Sequence, residues 1–211
     1  MLSGMAHNVA YFFAEKNVIE KEDVEVYAYG YEILFAEAIN WLIAAVIAIA
    51  TESILITAVY MLSFMQLRES IGGFHAKTHT GCIALSTVVY AICLWLVYVI
   101  PESFYIPITA VGLAIHNISV FILAPVEHPN KPLSDKEVKR YRKRGRILSI
   151  VYSVICIVLV LIQKSFLTGY GLAVLLGMLS ASVSMDAEYI LQKKRKNIKT
   201  NEERRKSNEE V

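Results

Sequence analysis

Six long apolar runs, separated by short polar connectors, account for most of the chain. The runs comprise residues 31–50, 53–67, 83–100, 104–124, 147–162 and 166–185. A helix needs about 20 residues to cross the hydrocarbon core of a bilayer, with a range of about 17 to 25. Four runs reach or approach this length, and the second and fifth are shorter. We predict an all-α polytopic membrane protein with about six transmembrane helices in three hairpins, with four full and two partial crossings as the alternative.

The composition also favours a membrane protein, because hydrophobic residues make up 55% of the 211 residues and mean hydropathy is +0.47. Residues 1–26 lack a basic start followed by a continuous apolar core, so no cleavable signal peptide is evident. We divide the chain into an amphipathic, cytoplasmic segment at 1–26, an integral membrane domain at 27–190 and a basic, flexible cytoplasmic tail at 191–211.

The distribution of positive charge predicts the orientation of the helices. The connector 131–146 holds eight of the 21 Lys and Arg residues, and the tail 193–206 holds eight more. Of the remaining five, only Lys164 lies in a connector on the opposite side of a six-span protein. Since Lys and Arg collect in cytoplasmic loops, both termini, the connector 68–82 and the basic connector 131–146 are predicted to be cytoplasmic. The charges of the basic connector either contact anionic lipid head groups or bind an acidic peptide, and the two roles are compatible.

One polar, glycine-rich stretch, residues 68–82, contains a nucleophile and a base close together in sequence. His75 and Cys82 are seven residues apart, which in a straight helix separates them by about 10.5 Å along the axis. The connector must therefore fold back for a thiol–imidazole contact, and glycines supply the backbone freedom for this. Cys82 would then begin the third membrane helix, whose N-terminus favours a thiolate, as does the charge of Lys77.

Other interpretations of these residues remain open. Cys82 alone is compatible with a small packing residue, and His75 alone with a surface or capping group. His75 and His79 have a spacing that can bind zinc, although Ala76 replaces the glutamate of metalloprotease helices. The other cysteines, Cys93 and Cys156, lie in apolar runs and form neither a disulfide framework nor a metal pattern. We expect no metal and no cofactor.

The chain resembles the accessory gene regulator protein B (AgrB) family. The stretch 68–82 matches the pattern R-x-x-x-G-G-x-H-A-K-T-x-x-G-C, and residues 124–133 are similar to that family's A-P…N-K-P-L pattern. Helix pairing, size and charge topology agree along about residues 1–190. The resemblance implies a membrane peptidase of the bacterial cell membrane that processes an autoinducing-peptide precursor in quorum sensing.

The resemblance also implies roles for individual residues. His75 corresponds to the base and Cys82 to the nucleophile, and Arg68 and Gly73 occupy positions that support activity. The residues of the basic connector that would guide substrate are Lys131, Lys139, Arg140, Arg142, Lys143 and Arg144. The expected partners are a short precursor peptide with an amphipathic leader and an acidic tail, and membrane lipid. No nucleic acid is expected, and we also consider a homodimer.

The family chemistry holds the precursor as a thioester on Cys82 while its tail leaves, and a peptide thiol or hydroxyl then closes a ring. Glu69, Glu127 and Asn117 are equal candidates for a third catalytic residue. His116 and Asn117 lie inside the fourth apolar run, where we expect interhelical hydrogen bonds. The alternative function is a peptide transporter or scaffold without catalysis, for which the apolar runs offer few ionisable residues.

Overall fold

The computed structural model describes residues 2–74, 76, 78–127, 133–162 and 165–209. In these ranges the chain is helical, and no β-strand is present. The helices are α1 (Leu2–Glu15), α2 (Val24–Ala50), α3 (Ile54–Ile71), α4 (His79–Val99), α5 (Tyr105–Leu123), α6 (Asp135–Leu161) and α7 (Ser165–Glu209). Short 3-10 helices at Lys21–Asp23 and Glu102–Phe104 lead into α2 and α5.

Six of these helices are long and apolar enough to cross a membrane. The candidate spans are Lys21–Ala50, Ile54–Ile71, His79–Val99, Glu102–Leu123, Asp135–Leu161 and Gly169–Ile198. The prediction of an all-α protein with six spans is therefore confirmed. The second and fifth spans exceed their apolar runs because α3 continues to Ile71 and α6 begins within the basic connector. Large apolar side chains on the outside of these helices, such as Leu42 and Ile122, suit contact with lipid.

The described chain divides into two compact units. The first unit contains Met1–Ile54 and Ala76–Ile92, and the second contains Leu55–His75 and Cys93–Val211. In the first unit, α1 packs on α2 through a stripe of small residues, with Ala10 and Ala14 against Val24 and Ala28. The aromatic Phe12 is exposed. The N-terminal segment therefore turns its alanines toward α2, and Phe13 beside them stacks on Tyr31 of that helix.

The second unit is built around α7, whose membrane-spanning part is the most buried of the six candidate spans. Helices α5 and α6 pack against it. Small residues permit close approaches: a Cβ atom at Gly177 would lie 2.7 Å from the carbonyl oxygen of Tyr60. Neither glycine nor proline interrupts residues 178–209, and α7 runs on as one helix into the basic tail.

Polar side chains inside the second unit join α5 to α6. His116 Nε2 hydrogen-bonds with Ser149 Oγ at 3.0 Å, and Asn117 Nδ2 donates to Ser153 Oγ at 3.0 Å. The interhelical hydrogen bonds expected for these two residues are thus confirmed. At the start of α6, Ser134 and Glu137 form a reciprocal capping box, which ends the preceding connector.

Candidate functional site

The stretch 68–82 leaves α3 and enters α4 without a continuous helix between them. Helix α3 ends at Ile71 and α4 begins at His79, so the expected break in the helix is confirmed. Gly72 and Gly73 follow α3 with φ angles of 79° and 145°, which other residues rarely adopt. His75 and Lys77, as well as Lys131 of the basic connector, lie outside the described residues.

Arg68 holds the backbone that leads to the predicted base. Its guanidinium Nη2 donates to the carbonyl oxygen of Phe74, the residue before His75. The N–H group of Phe74 donates to the carbonyl oxygen of Ser184 on α7 at 2.9 Å. A Cβ atom at Gly73 would overlap the Arg68 guanidinium, so the glycine makes room for it. Arg68 and Gly73 therefore shape the backbone that precedes His75 in sequence, and their support of activity stays a prediction.

A second backbone segment, which follows α5, meets the same turn. Val126 N–H donates to the carbonyl oxygen of Ile71 at 2.9 Å, and Gly72 pairs with Val126 in an isolated parallel bridge. A Cβ atom at Gly72 would overlap the Val126 carbonyl oxygen. We call this arrangement, in which residues 71–74 are joined to Val126 and Ser184, the backbone clasp.

Helix α7 supports the clasp with further polar residues. Gln192 Nε2 donates to the carbonyl oxygen of Glu127 and, at 3.0 Å, to Glu188 Oε1. Glu188 is only 1% exposed, and its Oε1 lies 3.8 Å from Arg195 Nη1. Because Ser184, Glu188 and Gln192 are spaced by four, they lie on one face of α7. Sequence reasoning missed these residues, although an acidic residue at the end of an apolar run was a signal for them.

In the first unit, Cys82 lies in the first turn of α4 and is half-buried. Thr78 caps this helix: its Oγ1 accepts from Gly81 N–H at 3.1 Å, and its carbonyl oxygen accepts from Cys82 N–H at 3.0 Å. The N-terminal turn of a helix favours negative charge through its N–H groups and dipole. The predicted placement of Cys82 at the start of the third membrane helix is therefore confirmed.

The five described residues of the basic connector that are predicted to guide substrate separate into two groups. Arg142 Nε donates to the Ala124 carbonyl oxygen at 3.3 Å, and Arg144 pairs with Glu69 at 2.9 Å, so both tie α6 to neighbouring elements. The other group makes no side-chain hydrogen bond or ion pair within the described part of the chain, and its members are exposed. These residues are Lys139, Arg140 and Lys143. Of these five residues, only the second group is free to meet another molecule without breaking a contact.

The three candidates for a third catalytic residue all have structural partners. Glu69 pairs with Arg144, Glu127 Oε2 accepts from Leu133 N–H at 3.3 Å, and Asn117 bonds within the α5–α6 interface. None of them is singled out by these contacts. Among the described residues, no group of three or more His, Cys, Asp or Glu side chains is placed to hold a metal ion.

Known proteins similar to this chain carry the name of one family. The family model described as accessory gene regulator B matches residues 6–185. An AgrB-like protein of Clostridium beijerinckii is 28% identical over 143 residues, which is 64% of this chain and 68% of the relative. An AgrB-like protein of Listeria monocytogenes serotype 4b (strain CLIP80459) is 27% identical over 131 residues, covering 61% of this chain and 63% of the relative, less than two thirds of its length.

The accessory gene regulator protein B of Staphylococcus aureus (strain JH9) is 29% identical over 158 residues, covering 74% of this chain and 79% of the relative. No solved structure is significantly similar to the chain. The family match includes the stretch 68–82 and Ser184, and it ends before Glu188 and Gln192.

Proposed function

Because the chain belongs to the accessory gene regulator B family, we propose that it is a membrane-embedded cysteine endopeptidase that removes the C-terminal tail of a signalling-peptide precursor and promotes cyclisation of the remainder. Family membership and the six candidate spans make it a multi-pass membrane protein with a role in accessory gene regulation. The observation that carries the proposal is the complete motif at 68–82, in which we assign His75 as base and Cys82 as nucleophile.

The proposed reaction proceeds through two acyl transfers and involves no redox change. The Cys82 thiolate attacks the carbonyl carbon of the peptide bond that precedes the tail, and His75 gives the departing amine a proton as the C–N bond breaks. The precursor is then held as a thioester. A thiol or hydroxyl of the same peptide gives its proton to the now neutral His75 and attacks this thioester, the new ring bond forms, and Cys82 leaves as thiolate.

The remaining residues have supporting roles in this proposal. The backbone clasp, with Arg68 and Gly73, fixes Phe74 and thereby the chain next to His75. Lys139, Arg140 and Lys143 attract the acidic tail, together with Lys77 and Lys131. The charge distribution favours an active site on the cytoplasmic side, where a newly made precursor would reach it along the membrane surface.

Co-expression of the full chain with its precursor peptide tests the proposal. We expect Cys82→Ala and His75→Ala each to abolish tail removal, because the first lacks the nucleophile and the second the proton carrier. Cleavage is followed by mass spectrometry of the precursor, and the amount of protein in the membrane fraction is measured in parallel. A matched control is Cys93→Ala, which removes a buried thiol and should leave cleavage in place. Cleavage by the Cys82→Ala protein at the normal rate would contradict the proposal.

A further inference from the structure

The first unit holds an ionisable pair close to the proposed nucleophile. His79 Nε2 lies 3.5 Å from Glu32 Oε1, joining the first residue of α4 to α2. The side chains of His79 and Glu32 are 33% and 21% exposed, so solvent screens this pair only in part. His79 occupies an unspecified position of the motif at 68–82, and Glu32 lies outside that motif. Neither residue therefore has a role in the function proposed above.

The geometry of α4 puts Cys82 on the same side of the helix as this pair. His79, Cys82 and Ser86 are spaced by three and four residues, which places them on one helical face. Ser86 Oγ donates to Asn40 Oδ1 of α2 at 2.8 Å. The face that carries Cys82 is thus fastened to α2 on both sides of the cysteine, by His79 one turn before it and by Ser86 one turn after it.

The facing residues of α2 follow a matching pattern. Glu32 and Asn40 are eight residues apart, and the small, buried Ala36 lies midway between them on the same face. By helix register, this alanine lies at the level of Cys82. The carboxylate of Glu32 and the imidazole of His79 are therefore ionisable groups of α2 and α4 that lie one turn from Cys82 on this face.

We propose that Glu32 and His79 are positioning residues of the active site, which hold the first turn of α4 on α2 and set the electrostatic potential at the Cys82 thiol. This inference rests on the proposed function and deepens it. The carboxylate fixes the imidazole, and the imidazole shields the thiolate from the carboxylate. The pair thereby allows a negatively charged nucleophile to form beside a residue that would otherwise repel it.

Thiol labelling measures this potential without requiring catalysis. The probes are methanethiosulfonate reagents with a neutral, a cationic or an anionic head group, applied to the full chain in membranes. Labelling that disappears in Cys82→Ala is assigned to Cys82. Glu32→Gln keeps the size of the side chain and removes its charge. The labelling rate with the anionic reagent, divided by the rate with the cationic reagent, should therefore rise by about threefold. Precursor cleavage should fall by about tenfold.

A similar pair on the same helix provides a matched control. His7 Nε2 lies 3.1 Å from Glu25 Oε1, and these side chains are 48% and 82% exposed. We expect Glu25→Gln to change neither the labelling ratio nor cleavage. A second variant, Glu32→Asp, keeps the charge and should keep the wild-type labelling ratio, which guards against a general effect of substitution at this position.

The outcomes distinguish the inference from the proposed function. An unchanged labelling ratio in Glu32→Gln, or an equal slowing of all three reagents, would reduce the pair to a structural contact and overturn the inference. Wild-type cleavage by Glu32→Gln would overturn it as well. Failure of the proposed function would appear instead as retained cleavage in Cys82→Ala, while the labelling ratio would still report on the charge of Glu32.

Discussion

Substitution of Gly72 by alanine should disable the backbone clasp and with it the proposed peptidase. Two effects add at this position. The φ angle of 79° is unfavourable for an L-residue, at about 1–2 kcal/mol. The new Cβ atom would also overlap the carbonyl oxygen of Val126, which belongs to the backbone and cannot turn away as a side chain would. The bridge between Gly72 and Val126 must therefore open.

The size of the loss follows from these contacts. Opening the bridge sacrifices the hydrogen bond from Val126 N–H to the Ile71 carbonyl oxygen, which contributes about 0.5–1.5 kcal/mol. Together with the φ penalty, the closed arrangement loses about 1.5–3.5 kcal/mol. Since about 1.4 kcal/mol corresponds to a factor of ten, the rate of precursor cleavage should fall by about 10- to 300-fold.

The assay is precursor cleavage by membranes that contain equal amounts of each variant. Gly30→Ala is the matched control, because a Cβ atom at Gly30, within α2, meets nothing within 4 Å and alanine favours the helix. Gly72→Asn separates the two effects, since asparagine tolerates positive φ but still carries a Cβ atom. If the overlap with Val126 dominates, Gly72→Asn should be as inactive as Gly72→Ala. Wild-type cleavage by Gly72→Ala would refute the role of the clasp.

Two further predictions concern packing and charge. Gly177→Ala should lower the thermal unfolding temperature in detergent by several degrees, because its Cβ atom would meet the Tyr60 carbonyl oxygen at 2.7 Å. Gly4→Ala, whose Cβ atom would lie in open space, should leave the unfolding temperature unchanged. Equal unfolding temperatures for the two variants would contradict the packing of α7 on α3. Replacing three of the exposed cations of the basic connector by glutamine should raise KM for an acidic-tailed precursor, with kcat unchanged and a smaller effect at high salt. These cations are Lys139, Arg140 and Lys143. Arg144→Gln, which breaks an exposed ion pair, is the comparison variant, and a KM unaffected by the triple substitution would exclude charge guidance.

The spans and the break before α4 could be predicted because both depend on local sequence. Apolar length determines whether a helix can cross the bilayer, and Gly72 and Gly73 mark the place where α3 cannot continue. Charge counting treated the residues of the basic connector as alike. Arg142 bonds the Ala124 carbonyl oxygen, whereas Lys139 makes no such bond. This difference depends on which side of α6 faces its neighbours.

The partners of the proposed site could not be predicted, because they come from distant parts of the chain. Phe74 meets Ser184 across 110 residues of sequence, and neither the periodicity nor the composition of α7 indicates that contact. Glu32 lies in the first apolar run, but its pairing with His79 follows from the register between α2 and α4. Helix periodicity indicates which residues share one face of a helix. It does not indicate which residues of a neighbouring helix pack against that face.

The backbone clasp also bears on how such a site can change during evolution. At Phe74 the clasp engages only main-chain groups, the N–H and the carbonyl oxygen, so the identity of this half-buried side chain is not constrained by either bond. A different residue at this position would leave the chain next to His75 where it is. The side chain at position 74 can therefore change during evolution while the main-chain bonds of the clasp are inherited unchanged.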